Sequence, residues 1–248
     1  MAAGSSISTN CSTPLPPQTR AIFLNSPNNP TGWTIEPEAL RTVFDHCRRL
    51  GIWMITDDVY ERLAFGATNI APSLLPVADP LDRLISVNSF SKAWSMTGWR
   101  IGWMAAPAPL VEELAKVIEY NTSCVPKFVQ QGALAALDGA MGDAALASLL
   151  AELKTSRALL VDGLRRHARI EVPEASGAMY AFFRIRGLAD DMQIARDLLA
   201  ATGLGLAPGS AFGPEGDGWL RWCFAARPDK IADGLQRLDR FISARGLQ

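Results

Sequence analysis

Cysteine is scarce in this sequence, and its few copies are widely spaced. The 248-residue chain holds four cysteines, none of them in a C-x-x-C pair: Cys11, Cys47, Cys124 and Cys223. This spacing excludes a zinc ribbon and a small disulfide-bonded scaffold. We therefore interpret the cysteines as reduced thiols of a cytoplasmic protein.

Histidine is scarcer still, and neither sign of charge dominates. With only His46 and His167, the chain cannot form a histidine-rich metal site, and a Ser-His-Asp triad is disfavoured. The net charge of −1 gives no electrostatic reason to expect a nucleic-acid or membrane-surface partner. No run of 18 apolar residues and no basic, apolar leader occur, so we predict neither a membrane span nor a secretion signal.

The overall composition indicates a globular chain whose first 19 residues differ in composition from the rest. Apolar residues make up 48% and charged residues 20%, as in ordinary folded proteins. Residues 1–19 have no charged side chain and many Ser, Thr and Pro residues, so we predict a flexible tail there. We place the remaining chain in two domains, at 20–142 and 143–248.

A strand–helix–strand pattern opens the first domain. An apolar run at 21–24, a helix with an apolar face ended by Gly51, and a second apolar run at 52–56 predict a parallel, right-handed unit. Two more buried strands are predicted at 84–88 and 101–105, followed by helices at about 109–121 and 126–138. The predicted core face of the first of these helices is formed by Leu110, Leu114, Val117 and Ile118. The predicted fold class is α/β, with part of a mainly parallel, doubly wound sheet.

The second domain is predicted to be a smaller α+β unit. A long helix from 143 to about 167 precedes a strand at 179–185 and a helix at 190–202 that ends at Gly203. Further strands are predicted at 204–207 and 219–225. The last helix has one apolar face, formed by Ile231, Leu235, Leu238 and Ile242.

Polar residues follow or precede the predicted strands of the first domain. They are Asn29, Asp57, Tyr60, Ser89, Lys92 and Arg100. Because ligands of α/β sheets bind beyond the carboxyl ends of the strands, we expect these side chains to converge on one rim. Singly, each has an ordinary structural explanation, such as a helix cap for Asp57 or an ion pair for Arg100.

Taken together, these side chains match one ligand. Ser89, nearby backbone N–H groups and Arg100 suit a phosphate. Asp57 suits a ring N–H, and Lys92 suits an aldehyde, with which it forms a Schiff base. Two further donors, Asn29 and Tyr60, suit a phenolate-like oxygen. Phosphate, pyridinium, phenolate and aldehyde together describe pyridoxal 5'-phosphate.

Four segments give the chain a family resemblance. They are N-S-P-N-N-P-T-G at 25–32, D-D-V-Y at 57–60, S-F-S-K at 89–92 and G-W-R-I-G at 98–102. From about Arg20 to the C-terminus, the chain resembles class I/II aminotransferases of pyridoxal-phosphate fold type I. The resemblance implies a cofactor-binding large domain at 20–142 and a connecting helix with a small C-terminal domain at 143–248.

The resemblance also implies roles for individual residues. Lys92 corresponds to the Schiff-base lysine, and Arg221, in W-L-R-W at 219–222, to the arginine that pairs with the substrate α-carboxylate. The residues implied in binding the rest of the cofactor are Asn29, Asp57, Tyr60, Ser89 and Arg100. The implied function is amino transfer between a small-molecule amino acid and a 2-oxo acid, in a cytoplasmic enzyme that is a homodimer when complete.

The sequence departs from the family at its start. The family's N-terminal portion carries a glycine-containing phosphate loop and an aromatic ring that stacks on the cofactor, and residues 1–19 match neither. We therefore expect an incomplete large domain. We also expect residues 1–248 alone to bind the cofactor poorly and to transaminate inefficiently.

Other interpretations remain open at this point. S-F-S-K also fits the S-x-x-K nucleophile motif of penicillin-binding proteins, but the S-D-N and K-T-G motifs that accompany it are absent. A catalytically impaired remnant is one alternative. A ligand-sensing aminotransferase-like module, as in transcription regulators of the MocR type, is another. Lyases and decarboxylases share the same cofactor frame.

Overall fold

The computed structural model describes residues 15–246, which divide into two compact units. The first unit holds the described residues up to Pro27 together with Thr34–Ser148. The second holds Asn28–Trp33 and the described residues from Leu149 onward. Most of the predicted tail, residues 1–14, lies outside the described residues.

The first unit contains a four-stranded sheet in the order β1-β2-β3-β4. The strands are β1 (Ala21–Asn25), β2 (Trp53–Asp57), β3 (Leu84–Ser89) and β4 (Gly102–Ala105). Strands β1, β2 and β3 are parallel, whereas β4 runs antiparallel to β3. The predicted α/β class with a parallel-containing sheet is confirmed.

Three helices of the first unit lie where the sequence predicts them: α1 (Pro37–Leu50), α2 (Ala108–Thr122) and α3 (Lys127–Leu137). Helix α1 starts with a proline and ends at Gly51, whose φ of 65° is the left-handed conformation that suits glycine. Its buried residues, Leu40, Phe44 and Cys47, follow the helical spacing of four and three.

The predicted burial of two strands and one helix is wrong. Phe23 of β1 is 64% exposed, and Trp103 and Met104 of β4 are also exposed. Helix α2 buries none of its residues, and Val117 of its predicted core face is 64% exposed. Buried strands were predicted because parallel sheets are usually covered on both faces, although the incomplete large domain was expected to leave one face exposed. The described elements of this unit leave these side chains open to solvent.

Helix α4 (Gly139–Arg165) begins four residues before its predicted start at Asp143 and continues from the first unit into the second. The second unit has a four-stranded sheet in the order β5-β6-β8-β7, with every neighbouring pair antiparallel. Its strands are β5 (Ile170–Glu171), β6 (Tyr180–Ile185), β7 (Ala207–Pro208) and β8 (Leu220–Cys223). The short β5 was not predicted, and the strand predicted at 204–207 is reduced to β7.

Two helices complete the second unit: α5 (Asp191–Thr202) and α6 (Pro228–Ala244). Helix α5 ends at Gly203, which has a φ of 71°, as the sequence predicts. The predicted apolar face of α6 is buried along its whole length. Helix α4 packs closely there, since a Cβ built on Gly163 would lie 2.4 Å from Leu235 Cδ1.

Within residues 15–246, no helix taken singly is both long and apolar enough to cross a membrane. Helices α3 and α4 pass that test of length and composition only as a bent pair.

Candidate active site

The carboxyl ends of β1, β2 and β3 lie at one edge of the first unit's sheet. Asp57 is the last residue of β2, and its carbonyl accepts a hydrogen bond of 3.1 Å from Asn25 Nδ2 at the end of β1. Ser89 is the last residue of β3 and pairs with Gly102, the first residue of β4. Because β4 is antiparallel, the residues that precede it, Arg100 among them, lie at this same edge.

The Asp57 side chain is a half-buried carboxylate at this edge. Its Oδ1 atom accepts a hydrogen bond of 3.2 Å from the Val59 backbone N–H. Burial raises the pKa of Asp57 above its ordinary value, and the Val59 hydrogen bond opposes that shift. Since desolvation disfavours the charged carboxylate, a cationic ring N–H would be a favourable partner for it.

Asp58 lies in a different environment, inside a buried polar network. Its Oδ2 atom accepts hydrogen bonds of 2.7 Å from Thr56 Oγ1 and 2.6 Å from Ser86 Oγ. Asn88 Nδ2 in turn donates to Ser86 Oγ over 3.1 Å. Burial raises the pKa of Asp58, while the two hydroxyl donors lower it. No local sequence pattern indicates this network, because Thr56 lies on β2, Asp58 follows it, and Ser86 and Asn88 lie on β3.

Lys92 lies in a turn that follows β3, close to Tyr60. The Lys92 Nζ atom is 5.9 Å from the centroid of the Tyr60 ring, which is almost fully buried. The turn is closed by a hydrogen bond from the Ser95 N–H to the Lys92 carbonyl. The buried Phe90 ring anchors the turn, since it packs 4.9 Å from Trp94 and 5.0 Å from Trp103 between ring centroids.

Ser89 and Arg100 present hydrogen-bond donors beside the start of β4. The Ser89 hydroxyl accepts from the Ser91 N–H over 3.1 Å and donates to the Ile101 carbonyl over 3.4 Å. Arg100 has a φ of 52°, and its exposed guanidinium donates to the Thr97 carbonyl over 2.8 Å. Arg100 keeps further guanidinium donors for an anion such as a phosphate, whereas the one hydroxyl hydrogen of Ser89 would have to turn from the Ile101 carbonyl to reach it.

Asn29 and Arg221 lie together in the second unit, although 192 positions separate them. Arg221 Nη1 donates to Asn29 Oδ1 over 2.8 Å. Arg221 Nε is buried and has no hydrogen-bond partner among residues 15–246. A buried donor without a partner is costly, so this atom fits an acceptor such as a ligand carboxylate.

Two aromatic residues near Arg221 were not foreseen from the sequence. The Arg221 guanidinium carbon lies 4.5 Å from the centroid of the Tyr180 ring and 4.6 Å from that of Phe212. Only the register of β6 against β8 brings Tyr180 there, and neither residue belongs to a recognisable motif.

The structure therefore groups the predicted site residues in two sets. Those in the first unit are Asp57, Tyr60, Ser89, Lys92 and Arg100. Those in the second unit are Asn29 and Arg221. Their individual roles toward a cofactor or substrate stay predictions.

Comparison with known proteins identifies the family. The family model for aminotransferase class I and II matches residues 7–238. The chain belongs to this family. It is 32% identical to an aspartate aminotransferase of Thermotoga maritima over 228 residues, which cover 92% of this chain and 57% of that protein. An aspartate aminotransferase of Musicola paradisiaca is 34% identical over 230 residues, covering 91% of this chain and 56% of the relative.

Solved structures agree with the sequence relatives. The aromatic aminotransferase from Pyrococcus horikoshii OT3 matches with a TM-score of 0.89 at 31% identity, covering 94% of this chain and 62% of that one. The chain thus spans less than two thirds of the length of these relatives. The class I/II aminotransferases are enzymes that depend on pyridoxal phosphate, so the predicted family and cofactor class are confirmed.

Proposed function

We propose that this chain contributes the lysine-bearing part of a pyridoxal-phosphate-dependent aminotransferase, which moves an amino group between an amino acid and a 2-oxo acid. The observation that carries the proposal is the 5.9 Å approach of Lys92 Nζ to the Tyr60 ring. Both residues lie in the unit whose sheet edge holds Asp57. The family membership supplies the reaction class.

Residues of the first unit would hold the cofactor. Lys92 would bind its aldehyde carbon, and Asp57 would keep its ring nitrogen protonated. Ser89 and Arg100 would donate to its phosphate, and Tyr60 would donate to its ring hydroxyl oxygen. When bound, the cofactor supplies an electron sink for negative charge at the substrate Cα.

The proton transfers fall to Lys92 in this proposal. Once the substrate amine has displaced it, Lys92 Nζ would remove the proton from the substrate Cα as a general base and return a proton as a general acid. The buried ring of Phe90 supports this role, because it fixes the turn that bears Lys92.

Residues of the second unit would recognise the substrate. Arg221 would donate from Nε and from its remaining terminal nitrogen to the α-carboxylate, a bidentate geometry that lysine cannot reproduce. Asn29 would orient Arg221 through its Oδ1 atom. The cofactor contact that the family resemblance implies for Asn29 stays a prediction. Some relatives are named for aspartate and others for aromatic amino acids. All of these amino acids carry the α-carboxylate that Arg221 would bind.

The homodimeric state, the cytoplasmic location and the absence of nucleic-acid and membrane partners stay predictions. So does the poor cofactor binding expected of residues 1–248 alone. Each follows from the sequence or the family resemblance, and none follows from the geometry of the two units.

Borohydride reduction tests the role of Lys92. The protein is titrated with pyridoxal phosphate and reduced, and the labelled lysines are mapped by peptide mass spectrometry. We expect Lys92 to be labelled at lower cofactor concentration than the exposed Lys116 and Lys127. The Lys92→Arg variant should lose that label and keep the other two. Equal labelling of all three lysines would reject the proposal in favour of a catalytically impaired remnant.

A further inference from the structure

The Arg221 guanidinium contacts two aromatic rings. Arg221 of β8 pairs directly with Phe182 of β6, so Tyr180, two residues before Phe182, is its diagonal neighbour on the same face of the sheet. Phe212 supplies the second ring from the 3-10 turn Gly209–Phe212, which follows β7. Stacking on aromatic rings suits the planar, weakly hydrated guanidinium.

The sheet leaves the Arg221 side chain little lateral freedom. On the same face, Phe182 stacks on Trp219 with ring centroids 5.2 Å apart and planes 4° from parallel. Arg184 lies over the Trp219 ring at 4.9 Å. With Nη1 engaged by Asn29, the buried Nε edge is the one that remains for a ligand.

The loop that bears Phe212 is fastened by Asp191, the first residue of α5. Its carboxylate accepts hydrogen bonds of 2.8 Å from both the N–H and the Oγ of Ser210, and one of 3.4 Å from the Gly218 N–H. Burial alone would raise the pKa of Asp191, but these hydrogen bonds lower it below its ordinary value. The carboxylate is therefore ionised at neutral pH, when it accepts hydrogen bonds most strongly.

Backbone contact closes the same loop. A Cβ built on Gly209 would lie 2.2 Å from the Gly216 carbonyl oxygen, and one built on Gly216 would lie 2.1 Å from the Gly209 carbonyl oxygen. The loop is therefore compact, and Asp191 joins it to the N-terminus of α5.

We propose that Asp191 is a positioning residue for substrate binding. By fastening the 209–218 loop, it holds Phe212 against Arg221. Phe212 and Tyr180 together then orient the Nε edge of Arg221 toward a substrate carboxylate. This inference rests on the proposed role of Arg221. It concerns the second unit alone and needs no cofactor for its test, so its failure is distinguishable from failure of the lysine-labelling experiment.

The experiment follows the Arg221 Nε–H group by NMR in the ¹⁵N-labelled full chain. The signal is assigned by its loss in Arg221→Lys, and ring currents from two flanking aromatic rings should shift it upfield. The variants are Phe212→Leu, Phe212→Tyr and Asp191→Asn. The matched control is Asp190→Asn, because Asp190 caps α5 by accepting from the Gln193 N–H over 2.8 Å and makes no hydrogen bond to the loop.

We expect Phe212→Leu and Asp191→Asn to move the Arg221 signal downfield and to weaken binding of propionate, used as a simple carboxylate probe, by about threefold or more. Phe212→Tyr should restore both properties, and Asp190→Asn should change neither. An unmoved signal in Phe212→Leu, or in a folded Asp191→Asn, would overturn the proposal. An equal effect of Asp190→Asn would also overturn it, since general loosening of α5 would then explain the result. If Asp191→Asn does not fold, Ser210→Ala takes its place, because it removes the hydroxyl hydrogen bond to Asp191; an unmoved signal there would overturn the proposal.

Discussion

Gly32 is the position at which one methyl group should disturb the second unit most directly. It has a φ of +71°, a conformation that L side chains rarely adopt. A Cβ there would lie 2.6 Å from Ala175 Cβ and 2.9 Å from the Tyr180 carbonyl oxygen. The Gly32 carbonyl also accepts a hydrogen bond of 2.9 Å from the Gly177 N–H, so the segment cannot simply move away.

The magnitude of the Gly32→Ala effect follows from two contributions. Placing alanine in the left-handed region costs about 1 kcal/mol or slightly more. Forcing a methyl group against backbone atoms costs about 1–3 kcal/mol, because the neighbours are not flexible side-chain ends. We therefore expect the free energy of unfolding to fall by about 2–4 kcal/mol in total.

Urea denaturation followed by tryptophan fluorescence measures this loss. The control is Gly66→Ala, because a Cβ at Gly66 meets no atom within 4 Å and the backbone there is not left-handed. It should change the free energy of unfolding by less than about 0.5 kcal/mol. If Gly32→Ala is as stable as Gly66→Ala, the close approach of Gly32 to Ala175 and Tyr180 is wrong.

Three further predictions concern single side chains. Because burial raises the pKa of Asp58 in the folded chain, stability should fall as pH rises above the ordinary carboxyl pKa of about 4. Asp58→Asn should weaken this pH dependence of the free energy of unfolding, and an unchanged pH slope would contradict the prediction. Ser156→Ala removes the hydrogen bond of 2.7 Å to the Ala226 carbonyl and should lower the free energy of unfolding by about 1–2 kcal/mol, as measured by thermal unfolding. A loss below about 0.3 kcal/mol would show that this hydrogen bond does not stabilise the fold. Asp57→Asn should keep the circular dichroism spectrum but abolish most amino transfer in any preparation of the protein that transaminates, and near wild-type turnover would reject the role of Asp57.

The helices were predictable from the sequence because their signals are local. Gly51 and Gly203 end their helices in left-handed conformations, as a glycine after an apolar periodic run predicts. The buried face of α6 follows directly from the spacing of its apolar residues. Each of these features depends on neighbours within a few positions.

Strand direction was not predictable in the same way. In an all-parallel sheet, residues that precede a strand lie at the edge opposite to residues that follow one. Arg100 precedes β4 and nevertheless lies at the edge where β3 ends, because β4 is antiparallel. No local pattern at 101–105 indicates the direction of β4, because that direction is set by pairing with β3, where Gly102 lies opposite Ser89. The exposure of Phe23 and Met104 was not predicted for a similar reason, because the burial of a side chain depends on which distant elements pack over it.

The residues around Arg221 show the limit of motif reasoning most clearly. The sequence identified Arg221 and Asn29 separately, but not their hydrogen bond, which joins positions 192 residues apart. Asp191 and Phe212 have no motif at all. Their arrangement depends on the loop fastened to α5 and on the register of β6 with β8.

The assignment of Asn28–Trp33 to the second unit has an evolutionary consequence. The chain passes between the units three times, after Pro27, after Trp33 and after Ser148, so neither unit is one continuous stretch of the gene. A single genetic crossover at Ser148 would exchange Arg221 without the Asn29 that orients it. Exchange of the second unit as a whole therefore requires exchange of the short 28–33 segment as well, so that Asn29 and Arg221 are transferred together.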